Sequence, residues 1–381
     1  MQAVLRPTKR SKAVDILRAV AVLLVLGAHL APCPAEISRL LHYTTKLYCR
    51  GGGIGVDIFF VLSGFLVSGL LFREHEKFGS ISAGHFLIRR GFKIYPAYWL
   101  LLFTAVLYAL HIGQKPSSGQ IAAVLLFYQN YVPWHIIGHT WSIAVEEHFY
   151  FLLVLLLAWL SRRKSGNCFT PVPAIAAGLA LASLIFRIVT ATVFPYDMYT
   201  NLFATHLRLD SLFFGVFISY LYHHYPDKFL NLVHCRRSFL LLCGVLALLP
   251  PYLFEANKTP FLYTFGFTLY YLGSGCLLSA FLSMNLDSTK RGISLSGTLA
   301  YIGSHSYSIY LWHVPVNFWL VPYLQGICAG RWNWWYYFAT YFFGSIIFGI
   351  CMALLIEFPI LKARDKWFPS RGRPLSVAAT G

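Results

Sequence analysis

About ten stretches of mainly apolar residues, near 14–30, 54–72, 92–112, 141–160, 173–194, 203–222, 239–254, 261–284, 299–322 and 335–358, leave this chain little choice of solvent. A segment of that length and polarity has no face to offer water. Each is predicted to cross a bilayer as an α-helix, which satisfies its own backbone hydrogen bonds inside hydrocarbon. Composition agrees: 57% of the 381 residues are hydrophobic, 12% are charged and mean hydropathy is +0.59, beyond the range of soluble domains. The expected fold is all-α, a polytopic membrane helix bundle of about ten transmembrane helices.

The formal net charge of +17, from 31 Lys and Arg against 14 Asp and Glu, suggests either a nucleic-acid partner or a set of topology signals. Counting decides between them. With the N-terminus inside, the inner segments gather about 22 basic residues, among them Arg6, Lys9, Arg10, Lys12, Arg73, Lys77, Arg89, Arg90, Lys93, Arg162, Arg163 and Lys164. The outer loops gather about six: Arg39, Lys46, Arg50, Lys115, Lys258 and Arg331. Arg18, Arg187 and Arg208 fall within spans. An even helix number returns the basic tail with Lys362, Arg364, Lys366, Arg371 and Arg373 to the inside. The expectation is therefore a multi-pass protein of the cell's inner (plasma) membrane, with the lipid bilayer and not nucleic acid as partner and both termini cytoplasmic.

This organisation reads as a basic N-terminus over 1–12, a transmembrane domain over 13–360 and a basic tail over 361–381, without a soluble domain, repeat or low-complexity linker. Asp15 and Arg18 interrupt the first apolar run, and Pro32 follows it, so the run reads as a retained helix and not a cleaved signal. In the loop 113–140 the apolar piece 121–127 is too short to span and is expected to be re-entrant or interfacial. The aromatic run 332–337 reads as an interfacial belt. Cys33 and Cys49 share the first outer loop, where a disulfide and two free thiols are both open.

Ionisable groups at membrane depth are costly and point to function. Arg18 and His29 are eleven residues apart, which on a helix places them within about 20° in azimuth and about 16 Å apart along the axis. The other spans bring Asp57, Glu146, Arg208, Asp210, Tyr310 and His313 to the outer level of His29, although Arg208 and Asp210 could simply neutralise each other. A histidine near carboxylates is what general-base chemistry requires, because the carboxylate fixes the tautomer and supports the imidazolium. At the inner level, Arg89, Arg90 and Lys93 open the third span. They are topology signals or a phosphate site. Together with Arg18 they lie an extended pantetheine's length below His29, which suggests a coenzyme A thioester lying along the first helix.

At this point the motifs resemble a known family. Asp15-Ile16-Leu17-Arg18-Ala19 through His29 is similar to the Arg-x10-His signature of the acyltransferase 3 family of membrane acyl-CoA-dependent O-acyltransferases. Gly55-Val56-Asp57-Ile58-Phe59-Phe60-Val61-Leu62-Ser63-Gly64-Phe65 resembles its second-helix motif, and Trp141-Ser142-Ile143-Ala144-Val145-Glu146-Glu147-His148-Phe149-Tyr150 its Trp-Ser-Leu-x-Val-Glu-x-x-Phe-Tyr motif. Ser306-Tyr307-Ser308-Ile309-Tyr310-Leu311-Trp312-His313 and Glu357-Phe358-Pro359 resemble its late-helix motifs. The resemblance implies that His29 is the essential histidine, with Glu146 its acidic partner, and that Arg18, Arg89, Arg90 and Lys93 bind the donor. Lys93 departs from the family's usual arginine, keeping the charge while losing bidentate phosphate recognition.

The function expected is O-acylation, most simply O-acetylation, of a carbohydrate hydroxyl on a surface polysaccharide, glycolipid or glycosylated metabolite. Acyl-CoA, most simply acetyl-CoA, is the donor substrate, and no permanently bound cofactor and no metal are expected. His29 would act as catalytic base, oriented by Glu146 or Asp57, with Arg208, Asp210, Tyr310 and His313 at the acceptor. Some members of the family carry a fused extracytoplasmic esterase-like domain. None is visible here, so acceptor recognition is expected from the membrane domain, its outer loops, a partner protein or a homo-oligomer. The rival readings are a proton-coupled secondary transporter, whose relays use the same residue types, and a non-catalytic envelope-assembly scaffold.

Overall fold

Helices dominate because the apolar stretches hold few breakers, and their ends fall where capping residues stand. Ser38 accepts a hydrogen bond from Leu41 N at 3.3 Å to start one helix, Ser117 and Gln120 form a reciprocal capping box, and Gly79 ends another in the left-handed region at φ 66°. The computed structural model describes residues 11–132, 136–163, 166–284, 286, 294–328 and 330–371. Arg6, Lys9, Arg10, Lys164 and Arg373 of the expected inner basic set lie outside the described residues.

All regular elements among the described residues are helical. They are α1 (Lys12–Ala28), α2 (Arg39–Gly51), α3 (Ile54–Phe78), α4 (Ala83–His111), α5 (Ser118–Leu125), α6 (Trp141–Leu160), α7 (Val172–Val193), α8 (Leu209–His224), α9 (Pro226–Cys235) and α10 (Arg237–Ala247). There follow α11 (Pro250–Leu253), α12 (Pro260–Tyr263), α13 (Phe265–Leu282), α14 (Leu295–Ser304), α15 (Ser306–Pro315), α16 (Val321–Ile327), α17 (Trp334–Phe338), α18 (Gly344–Met352) and α19 (Phe358–Trp367). Short 3₁₀ and π turns join several of them.

Among the described residues, six helical runs are long and apolar enough to span: Arg39–Phe78, Ala83–His111, Gly138–Leu160, Val172–Val193, Phe265–Leu282 and Trp334–Trp367. A seventh arises if the pair meeting at Arg236, bent by 77°, counts as one span. The expected count of about ten is therefore not confirmed: among the described residues six or seven runs meet this length and polarity criterion. The reason is geometric. The other stretches do fold as helix, but α1 has 17 residues and α8 has 16, while the stretch near 299–322 is divided at His305 and again by a π turn over Val316–Leu320. Hydropathy reports none of these breaks.

The bundle is inside-out in polarity, as a membrane protein must be. Phe103, Leu107, Leu155, Trp159, Leu181, Ile185 and Leu355 are exposed on its outer surface, while charged groups are gathered within. Small residues set the closest crossings. A Cβ at Gly64 would run into the Leu212 carbonyl and one at Gly215 into that of Val61, so α3 and α8 meet backbone to backbone; Gly303 does the same for α14 against Asp15 of α1. As a result α1 sits amid α2, α3, α13, α14 and α15. The apolar piece near 121–127 is the short helix α5 and the chain after it, and Cys33 and Cys49 are free thiols.

Candidate active site

Three helices bring charge into one cavity of about 110 Å³: Arg18 comes from α1, Arg90 and Lys93 from α4, and Glu146 from α6. Tyr150, one turn beyond Glu146 on the same helix face, donates its hydroxyl proton to the Glu146 carboxylate at 2.6 Å, which leaves Ser63 to donate to the Tyr150 oxygen at 2.7 Å. The Arg90 guanidinium stands 5.2 Å from the Tyr150 ring centre and 5.4 Å from that of Phe86. Arg18, Arg90 and Lys93 are the cations whose fields reach Glu146. Three cations against one carboxylate make a chamber suited to an anion. Arg89, expected beside Arg90, does not line this chamber; it pairs with Asp365 of α19 at 2.9 Å and with the Phe368 carbonyl. Successive residues on a helix are turned about 100° apart, so the two arginines serve different faces.

Tyr310 and Ser142 form the wall of the cavity that adjoins the histidines. Tyr310 donates to the His139 carbonyl at 2.6 Å and accepts from Ser142 at 2.5 Å. Its ring centre lies 5.7 Å from that of His313 and 6.1 Å from that of His139. His313 is fully buried, 5.0 Å from His29 and 5.4 Å from His139, centre to centre. His313 Nδ1 is 2.5 Å from the Tyr310 carbonyl, and His139 Nε2 is 3.0 Å from that of Leu311. Three imidazoles thus meet behind one tyrosine.

His29 itself caps the C-terminal end of α1, where a helix leaves its last carbonyls without internal partners. Side chains from elsewhere take them. Tyr48 donates to Leu23 O, Tyr341 to Leu26 O at 2.8 Å, Cys49 to Ala28 O at 3.6 Å and Asn317 to His29 O at 2.8 Å. Just beyond, Trp334 donates to Ala31 O at 3.1 Å and Tyr337 accepts from Ala31 N at 2.8 Å. The aromatic run at 332–337 therefore helps to hold the chain that carries His29.

The carboxylates expected around His29 lie elsewhere. Asp57 pairs with Arg208 at 2.7 Å, and Asp210 pairs with Arg187 at 2.8 Å, all four buried. Arg208 also stands 3.7 Å from the Phe267 ring centre. The direct ion pair of Arg208 is with Asp57 and that of Asp210 is with Arg187, while the field of Arg208 also reaches Asp210. The single outer cluster read from the sequence is corrected to three groups: the chamber with Glu146, the imidazoles with Tyr310, and two buried ion pairs. These partners were not readable from position along each helix axis, which does not supply azimuth relative to the neighbours.

The sequence matches the acyltransferase domain family Acyl_transf_3 over residues 11–354. The chain belongs to the acyltransferase 3 family. It is 29% identical over 342 residues to peptidoglycan O-acetyltransferase OatA of Listeria monocytogenes, an alignment covering 82% of this chain and 50% of that protein. It is 24% identical over 304 residues to O-acetyltransferase OatA of Staphylococcus aureus, covering 74% and 49% respectively. The chain thus spans about half the length of the curated relatives it matches. No solved structure matches it.

For this member of the acyltransferase 3 family, the motifs noticed one by one are joined in space. Ser308 donates to Glu357 at 2.8 Å, tying the two late-helix motifs together, and Trp141 stacks on Phe203 at 4.6 Å while facing Arg208. Sequence reading missed His139, Arg187, Tyr150 and Asn317 as site or support residues. His139 stands two residues before a noted motif, Tyr150 is the last residue of that motif and Arg187 was visible as an arginine within a span; Asn317 carries no signal in a single sequence.

Proposed function

We propose that this protein is a membrane O-acyltransferase, most simply an O-acetyltransferase, which moves an acyl group from cytoplasmic acyl-CoA to a hydroxyl of a carbohydrate-containing acceptor. The observation that carries this reading is that the chamber lined by Arg18, Arg90 and Lys93 shares its Tyr310 wall with the imidazole cluster, the Tyr310 and His313 ring centres being 5.7 Å apart. The family membership and the printed names of the Listeria and Staphylococcus relatives support the reaction class. The basic inner segments support cytoplasmic termini and an inner-membrane location, and on that reading Arg90 and Lys93, near the start of α4, belong to the side of the coenzyme A pool.

In this reading the donor's phosphates meet Arg18, Arg90 and Lys93, with Arg90 held in place by its two rings and Lys93 supplying a point charge. The acceptor hydroxyl oxygen attacks the thioester carbonyl while His29 takes its proton; the carbonyl–sulfur bond then breaks and coenzyme A leaves as a thiolate. Glu146, hydrogen-bonded to Tyr150, acts on the donor side by limiting the excess positive charge and fixing the Tyr150 ring beneath Arg90.

Purified His29→Ala protein, folded by size-exclusion and thermal unfolding, is expected to lose acyl transfer from radiolabelled acetyl-CoA by at least about 10²-fold, the scale of a general base. Wild-type turnover in that variant would overturn the reading. Comparing acetyl content of surface glycans with and without the protein identifies the acceptor class. Solute uptake driven by a proton gradient without acyl-CoA consumption would instead establish a transporter.

A further inference from the structure

We infer that His313 is a positioning residue that sets the tautomer of His29, the task first assigned to a carboxylate. The inference rests on the reading of His29 as the base and extends it. Carbonyl oxygens only accept hydrogen bonds, so the contact from His313 Nδ1 to the Tyr310 carbonyl requires the proton of a neutral His313 to sit on Nδ1. Its Nε2 is then a lone pair, fully buried and without a hydrogen-bond partner. The same argument puts the proton of neutral His139 on Nε2 and leaves its Nδ1 as a second unpartnered lone pair. Buried acceptors of this kind call for a donor.

His29 is the neighbouring side chain that can supply that donor once its ring turns toward His313. Its ring is 5.0 Å from His313, its main chain is held by Asn317, and it reaches the edge of the buried cluster while remaining partly exposed. Among the described residues no group of three or more His, Cys, Asp or Glu side chains that could hold a metal ion is found. The carboxylates expected to accept the His29 N–H have other donors, Asp57 taking Arg208 and Glu146 taking Tyr150. One His29 nitrogen gives its N–H to His313 Nε2, and the other keeps its lone pair toward the exposed side, where an acceptor hydroxyl arrives. When His29 gains the acceptor's proton, the charge is supported through the N–H···N contact and no carboxylate is required.

Glutamine and asparagine separate this role from simple packing, because glutamine oxygen mimics an acceptor at Nε2 whereas asparagine reproduces only the Nδ1 position. His313→Asn is expected to lower kcat roughly 10²-fold with KM for acetyl-CoA within about twofold, and His313→Gln to recover most of that loss. Equal losses in the two variants, or no loss in His313→Asn, overturn the assignment. ¹⁵N-histidine spectra of the unmutated protein give an independent reading: His313 protonated on Nε2 overturns it, and a hydrogen-bonded lone pair at Nε2 supports it. The His29→Ala protein is run alongside. If it turns over normally, the base reading itself falls; if it is inactive while His313→Asn is normal, only the present inference falls.

Discussion

Arg89 and Arg90 are adjacent in the chain and do different work. Arg90 lines the chamber over Tyr150, while Arg89 is bound to Asp365 and to the Phe368 carbonyl just after α19. Arg90→Ala is therefore expected to raise KM for acetyl-CoA about tenfold, the loss of one charge-assisted contact, with Arg89→Ala staying within about twofold; initial rates across donor concentrations check this. At the buried pairs, Asp57→Ala leaves the Arg208 charge uncompensated in the interior and should cost about 3–5 kcal/mol, whereas adding Arg208→Met should return much of the stability. Thermal unfolding in one detergent measures both, and a double variant no more stable than the single would contradict the pairing. These partners could not be read from the chain. Asp57 and Arg208 are 151 residues apart, and each was visible only as a charge in an apolar run.

Helix-level features were legible where they depend on local periodicity. The face shared by Arg18 and His29, and their separation, follow from α-helical geometry alone, and the structure uses that separation to place one in the chamber and the other at the histidines. Breaks were not legible, since the bend at Arg236 and the divisions around α14 and α15 arise from packing. Glycine crossings show the same dependence. Gly303→Val pushes α14 away from α1 and is expected to lower the melting temperature by several degrees, more than Gly178→Val on α7, where a Cβ meets nothing within 4 Å. Comparable loss in the two variants would show that the α1–α14 approach is not required.

Across the whole molecule, the orientation deduced from basic residues can be checked with native thiols. Cys235 at the end of α9 and Cys328 after α16 are both exposed, and on the positive-inside reading they lie on opposite sides of the membrane. In single-cysteine proteins, a membrane-impermeant maleimide added to intact cells is expected to label Cys328 at once and Cys235 only after permeabilisation. The reverse pattern would turn the donor chamber away from the coenzyme A pool.

The side chains that fasten the end of α1 have a consequence for synthesis. Asn317, Trp334 and Tyr341 lie 288, 303 and 315 residues downstream of the carbonyls they bind. His29 is synthesised well before the three side chains that complete its place in the membrane. A nascent chain therefore holds it through that interval without the frame that aims it, and the frame closes only when the segments carrying Asn317, Trp334 and Tyr341 have docked.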